Sequence, residues 1–203
     1  MPAIADFPKQ QELNRDAGVA LLDKIGPAIL LTHSQSGAFG WPIADARPNL
    51  VKAIVAVEPN GPPVYEAVFK GAPDWFARGE LTKPWGLTAV KLTYDGVSDA
   101  SQLQFVEQEK SDAPDLVKCW RQKEPARKLT NLSRIPIAIF TSEASYHAPY
   151  DHCTVAYLNQ AGVKNTYIRL PEHGIKGNGH MMMLEKNNLA IAAIIEEWTR
   201  TIR

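Results

Sequence analysis

Long apolar runs are absent from this chain. No stretch approaches the roughly 18 uninterrupted apolar residues of a membrane-spanning helix, and the opening MPAIADFPKQQELNRD is too polar and too broken by proline for a signal peptide. Net charge is absent too: 22 Lys and Arg balance 22 Asp and Glu, and without a basic run neither nucleic acid nor an anionic membrane surface is indicated as a partner. Cysteine is scarce. Cys119 and Cys153 are far apart and show no C-x-x-C spacing, so they read as free thiols, or as one bridge in an exported protein. With no leader read at the N-terminus, the cytoplasm is the default expectation. His147 and His152 have no second ligand pair near them in the sequence, which argues against zinc. The run Met181-Met182-Met183 reads as core filler. A phosphate loop of the G-x-x-x-x-G-K type is missing, and no repeat is visible. The expected cofactor is therefore none, the expected metal none, and the expected partner a small, fairly neutral molecule.

What is present is a normal core, with 45% hydrophobic residues in 203, enough for a single domain over 1–203. Leu13, Ala17, Leu21 and Leu22 fall at helical spacing, so residues 9–25 predict a helix that ends at the Gly26-Pro27 break. Ala28 to Leu31 predicts a buried strand, residues 39–47 a helix, and NLVKAIVAV over 49–57 a second strand. IPIAIFT over 135–141 and VKNTYIRL over 163–170 predict two more strands, with a helix between them closed by Gly162. Residues 181–202 predict a last helix with Leu184, Leu189, Ile191, Ile194, Ile195 and Trp198 on its apolar side. Alternation of this kind implies right-handed crossovers and a parallel sheet. Between about residues 61 and 128 the pattern loosens. Trp75, Phe76, Trp85, Tyr94, Phe105 and Trp120 are scattered there without a period, which suits either a cap over the active face or an insertion on the sheet edge.

The chemistry concentrates in AILLTHSQSGAFG, residues 28–40. An apolar run that ends abruptly in small polar residues is the pattern of a nucleophile elbow, where a strand turns sharply into a helix and lifts a serine above the sheet. Ser34 is the candidate apex and Ser36 the alternative, since Thr32, Ser36 and Gly37 stand near where G-x-S-x-G would have glycines. A serine needs a base within hydrogen-bond reach and a carboxylate behind the base. In the Ser, acid, His order the base belongs on the loop after the last strand, which holds His180 beside Gly177 and Gly179, and His173 as the alternative. For the acid, the loop after residues 135–141 offers Ser145 where an aspartate is expected. Glu143 falls too early there and Asp151 too late. Glu58, at the end of the second strand and just before the stiff turn Pro59-Asn60-Gly61-Pro62-Pro63, reaches the same space. Asp151 is the second choice.

The segments THSQSGAFGW, AIVAVEP, SEASYHAPYDH and GNGHMMMLEKNN, taken together, resemble a group of microbial α/β-hydrolase esterases in which the acid follows strand six instead of strand seven. The resemblance covers nearly the whole chain. It implies an α/β-hydrolase fold, a mostly parallel sheet flanked by helices, and hydrolysis of a small-molecule ester by Ser34 as nucleophile, Glu58 as acid and His180 as base. It also implies that the backbone N–H of Gln35 supplies half of an oxyanion hole. Members of that group carry the first strands and the second oxyanion donor ahead of the helix that opens this chain. The sequence is therefore expected to represent the C-terminal part of such a fold, with about four core strands and an exposed sheet edge suited to pairing with another copy. The competing expectation is a remnant that binds a partner without catalysis.

Overall fold

Residues 6–70 and 76–202 are described in a computed structural model; Trp75, one of the aromatic residues of the loosened segment, lies outside them. Helix α1, Phe7–Ile25, starts where the Asp6 side chain accepts from the Lys9 N–H and stops at Gly26, whose φ of 86° breaks the helix. Strand β1, Ala28–Ser34, leads through a tight turn into helix α2, Gly37–Ala46. Strand β2, Val51–Pro59, follows. The loosened segment then holds two small antiparallel hairpins: β3, Tyr65–Phe69, with β4, Phe76–Leu81, and β5, Phe105–Glu107, with β6, Trp120–Gln122. Strand β7, Ile137–Thr141, helix α3, Asp151–Gln160, strand β8, Asn165–Arg169, and helix α4, Asn188–Thr199, complete the chain. The last helix is shorter than the apolar pattern predicts. Residues 182–184 form a separate 3₁₀ turn before it.

The main sheet runs β1-β2-β7-β8, and every pairing in it is parallel. Because side chains alternate along a strand, β2 feeds two cores. Ile54 and Ala56 join Trp41, Ile137, Ile139, Tyr157 and Leu158 on one face, while Val55 and Val57 join Ala138, Phe140, Ile168 and Ile191 under α4 on the other. Central strands buried on both faces need near-continuous apolar sequence, and AIVAV and IAIF supply it.

Strand β1 forms the exposed sheet edge that the resemblance implies, and departs only from the burial that its apolar run alone predicts. It is not buried: Leu31 is 62% exposed and Ile29 37%. The reason is topological. β1 lies at the edge of the sheet, and α4 packs over β2, β7 and β8 without reaching across it.

The loosened segment packs largely into the main core. Trp85, Leu87, Leu92, Tyr94 and Leu103 are buried with the sheet and α2, so Trp85 is a core residue and not a free pocket aromatic. Buried polar ties hold the segment there. The Gln11 amide oxygen of α1 accepts from the N–H groups of Ala89 (2.9 Å) and Val90 (3.1 Å). Asp45 of α2 accepts from the Thr93 hydroxyl at 2.9 Å, and burial raises its carboxyl above the usual range. The two cysteines also differ from the free-thiol reading: Cys119 and Cys153 form a disulfide that joins the start of β6 to α3.

Candidate active site

The turn after β1 carries the first functional side chain because small residues let strand and helix approach. A Cβ on Gly37 would lie 2.5 Å from Pro59 Cβ and 2.6 Å from Pro59 Cα, so only glycine fits between the start of α2 and the end of β2. Ser34 sits at φ 56°, in the left-handed region that L residues avoid. Ser36 locks the turn: its hydroxyl donates to the His33 carbonyl at 2.7 Å and accepts the His33 N–H at 2.9 Å. Its oxygen is thereby committed to backbone, and only Ser34 of the two serines faces an imidazole.

Ser34 Oγ is 2.8 Å from His180 Nε2, and His180 Nδ1 is 2.6 Å from Glu58 Oε2. Hydroxyl, imidazole and carboxylate thus stand in line above the carboxyl ends of β1 and β2. Glu58 is wholly buried and also has a left-handed backbone, φ 42°. Ser34 and Glu58 are two of the three non-glycine residues with positive φ among those described, and strain of this kind persists only where its surroundings hold it. Around Glu58 the holding groups are serines. Ser142 donates its N–H to Oε1 at 2.9 Å and places its hydroxyl on the same oxygen, and Ser145 donates its hydroxyl to Oε2 at 2.6 Å. Donors of this kind offset the cost of burying a carboxyl group. Ser145 therefore stands where an aspartate was sought and serves the glutamate.

The loop bearing His180 is fastened at several points. His33 Nε2 donates to the His180 carbonyl at 2.9 Å, which fixes the His33 tautomer. Gly179 N–H donates to Glu185 Oε1 at 2.8 Å, and Gly177 N–H to Glu143 Oε2 at 2.8 Å. His173 is exposed in a short 3₁₀ turn, and the ring on Ser34 Oγ is that of His180. Asp151 does not reach His180 through a hydrogen bond. It accepts from the Thr141 hydroxyl at 2.6 Å and lies 3.0 Å from His147 Nδ1. Gln35 places its side chain on Gln10 at 3.0 Å. Its backbone N–H, next after Ser34, has no hydrogen-bond partner among the described residues.

His147 is a neighbour of His180 that the sequence did not place there. Its ring stacks on His180 with centroids 4.6 Å apart and planes 2° from parallel. Burial pulls its pKa down to about 4 and pushes the Asp151 carboxyl well up. A neutral ring is thereby held beneath His180, where a charged one would repel an imidazolium. Spacing gave one usable signal, since His147 and Asp151 are an i, i+4 pair. Glu58, His147 and His180 offer ligand-type atoms within 4.8 Å of one another, a grouping that the sequence spacing of His147 and His152 does not show. Those of Glu58 and His180 are already taken up in hydrogen bonds. Cys119, His152 and Cys153 form the other such group, with both sulfurs in the disulfide. Among the described residues no helix is long and apolar enough to cross a membrane.

No family model matches the sequence. A protein named probable secreted lipase phiG, from Fungal sp. (strain ATCC 74256), is 48% identical over 196 residues, which cover 96% of this chain and 51% of that protein. Among solved structures, a novel bacterial esterase determined at atomic resolution is similar with a TM-score of 0.51 and 25% identity, over 91% of this chain and 41% of that one. The chain spans about half the length of the curated relative it matches. The esterase likeness and the parallel sheet flanked by helices agree on an α/β fold of the kind found in ester hydrolases. The cytoplasmic default is overturned: the 48% identical relative is named as secreted, and a disulfide is at home in an oxidising compartment.

Proposed function

We propose that the chain carries the catalytic groups of an exported serine hydrolase acting on carboxylic esters, with Ser34 as nucleophile, His180 as general base and acid, and Glu58 as the carboxylate that orients the imidazole. One observation carries this reading: the unbroken line Ser34 Oγ to His180 Nε2 to Glu58 Oε2, at 2.8 and 2.6 Å, with both ends on strained backbone. The names of the two relatives, a lipase and an esterase, support the substrate class.

In the first half-reaction Ser34 Oγ bonds to the ester carbonyl carbon while its proton passes to His180 Nε2. The developing oxyanion lies toward the free N–H of Gln35. Collapse of the tetrahedral intermediate breaks the bond to the alcohol oxygen, which leaves with the proton from His180. Water then repeats the sequence on the acyl-enzyme, gives its proton to His180, and releases the acid and the free Ser34 hydroxyl. Glu58 orients His180 and stabilises the imidazolium, while the neutral His147 ring adds no opposing charge.

A fluorophosphonate probe tests the nucleophile directly. Covalent labelling at Ser34, lost in Ser34→Ala and kept in Ser36→Ala, is the expected result. Equal labelling of Ser34→Ala and the unchanged protein would sink the assignment.

A further inference from the structure

The cavity beside Ser34 has a volume of about 420 Å³ and is lined by Asn60, Glu66, Lys83, Tyr146 and Tyr150. That size suits a small molecule. Lys83 is the unexpected member. It is 2% exposed, yet no carboxylate lies within salt-bridge distance of its ammonium among the described residues. Among the described residues the ammonium makes one hydrogen bond, to Thr82 Oγ1, and it is long at 3.4 Å. Glu66 acts on it only at a distance and is itself exposed. A buried, unpaired ammonium is costly, and lysine almost never occupies such a place without a partner. The backbone around it is also constrained. Lys83 N–H donates at 3.0 Å to the carbonyl of Val64, a buried β-branched residue at φ 71°, where such residues are outliers. A second polar group lining the cavity lacks a partner among the described residues: Asn60 Oδ1 is buried without a hydrogen bond.

We propose that Lys83 is the anion-recognising group of the substrate pocket, and that the preferred substrates are small esters carrying a carboxylate. The carboxylate completes the ammonium's missing ion pair, with Asn60 beside it to receive a donor from the same molecule. The location of this subsite rests on the hydrolase reading, since Ser34 opens into the same cavity. A polar pocket of this size favours such esters over long-chain lipids, although a relative is named a lipase.

Two probes test the idea, a 4-nitrophenyl hemiglutarate with the carboxylate on the acyl side and a carboxymethyl butyrate with it on the alcohol side, each set against its methyl-capped neutral form. In the unchanged protein at least one carboxylate form should be preferred in kcat/KM by roughly ten- to a hundredfold, the worth of a charge-assisted hydrogen bond. Lys83→Met should bring that ratio close to one. No preference in the unchanged protein, or a Lys83→Met variant that slows capped and uncapped probes equally, would overturn the proposal, and the first arm holds even if the variant fails to fold. Calorimetric binding to Ser34→Ala separates this proposal from the one beneath it. Lys83-dependent binding of the carboxylate in a protein that fluorophosphonate does not label would keep the subsite and sink the hydrolase. Labelling at Ser34 without discrimination between probes would do the reverse.

Discussion

Changing Glu58 to glutamine removes a charge while keeping shape, and the surroundings of the carboxylate dictate the outcome. Oε1 receives the Ser142 N–H and faces the Ser142 hydroxyl, whereas Oε2 receives the Ser145 hydroxyl and the His180 Nδ1–H. All four neighbours are donors to a wholly buried group. An amide has one acceptor and one donor end, so it satisfies one side only. With its oxygen toward Ser142, the NH₂ meets His180 Nδ1 and forces the proton onto Nε2, so that Ser34 faces a donor and loses its base. With its oxygen toward His180, the NH₂ opposes the fixed N–H of Ser142, which costs about 1–3 kcal/mol. The first arrangement is the cheaper, because an imidazole changes tautomer and a peptide N–H does not. Glu58→Gln is therefore expected to lower kcat on 4-nitrophenyl acetate by about 10⁴, the loss typical of a wrong tautomer, which is roughly 5.5 kcal/mol. Asp151→Asn, measured in parallel, should cost much less, since Asp151 makes no hydrogen bond to His180. A Glu58→Gln protein within tenfold of the original, alongside a collapse in Asp151→Asn, would refute the reasoning and make Asp151 the acid.

Other outcomes follow from single contacts. Reducing the Cys119–Cys153 bridge, which closes a loop of 34 residues, should remove roughly 4 kcal/mol of stability; urea midpoints with and without reductant that coincide would show that the loop is held by packing alone. Gly37→Ala drives a methyl into Pro59 and the Asn60 N–H, 2.9 Å away, so a loss of about 1–3 kcal/mol and slower labelling of Ser34 are expected, with an unshifted melting temperature as the contrary result. Burial lowers the Lys83 pKa from its ordinary value to about 8. Below pH 8 both folded and unfolded forms carry the proton and the fold bears the full desolvation penalty; between about 8 and 10.5 the unfolded chain binds more protons, so stability rises with pH across that window. Lys83→Met should then be more stable at pH 7 by up to roughly 3 kcal/mol, and a less stable variant would mean that Lys83 supports the fold and not a ligand.

The strands that build the sheet were legible because double-sided burial writes itself as continuous apolar sequence, as in Val55 to Val57 and Ile137 to Phe140. Ser34 and His180 were legible for a similar reason, each standing where a strand-to-helix turn or a glycine-flanked loop changes composition abruptly. The apolar run of β1 misled when read alone, because an edge strand and a central strand share the same apolar letters and the difference lies in what covers them; only the exposed edge implied by the resemblance pointed to its place. The thiol pairing stayed open because residues 119 and 153 are brought together by β6 docking against α3, a contact without local periodicity. The polar interior was the least legible. Ser142, Ser145 and His147 sit in one loop, and their roles exist only because Glu58, more than 80 residues earlier in the chain, lies at 0% exposure among them. Lys83 is the same case without a partner among the described residues. Its sequence neighbours, Thr82 and Pro84, mark an ordinary surface turn, and a lysine there is expected in water; the fold buries it beside Ser34 instead. Where a structure places a costly group at odds with its local sequence and supplies no counterpart, the counterpart is to be sought in what enters the cavity.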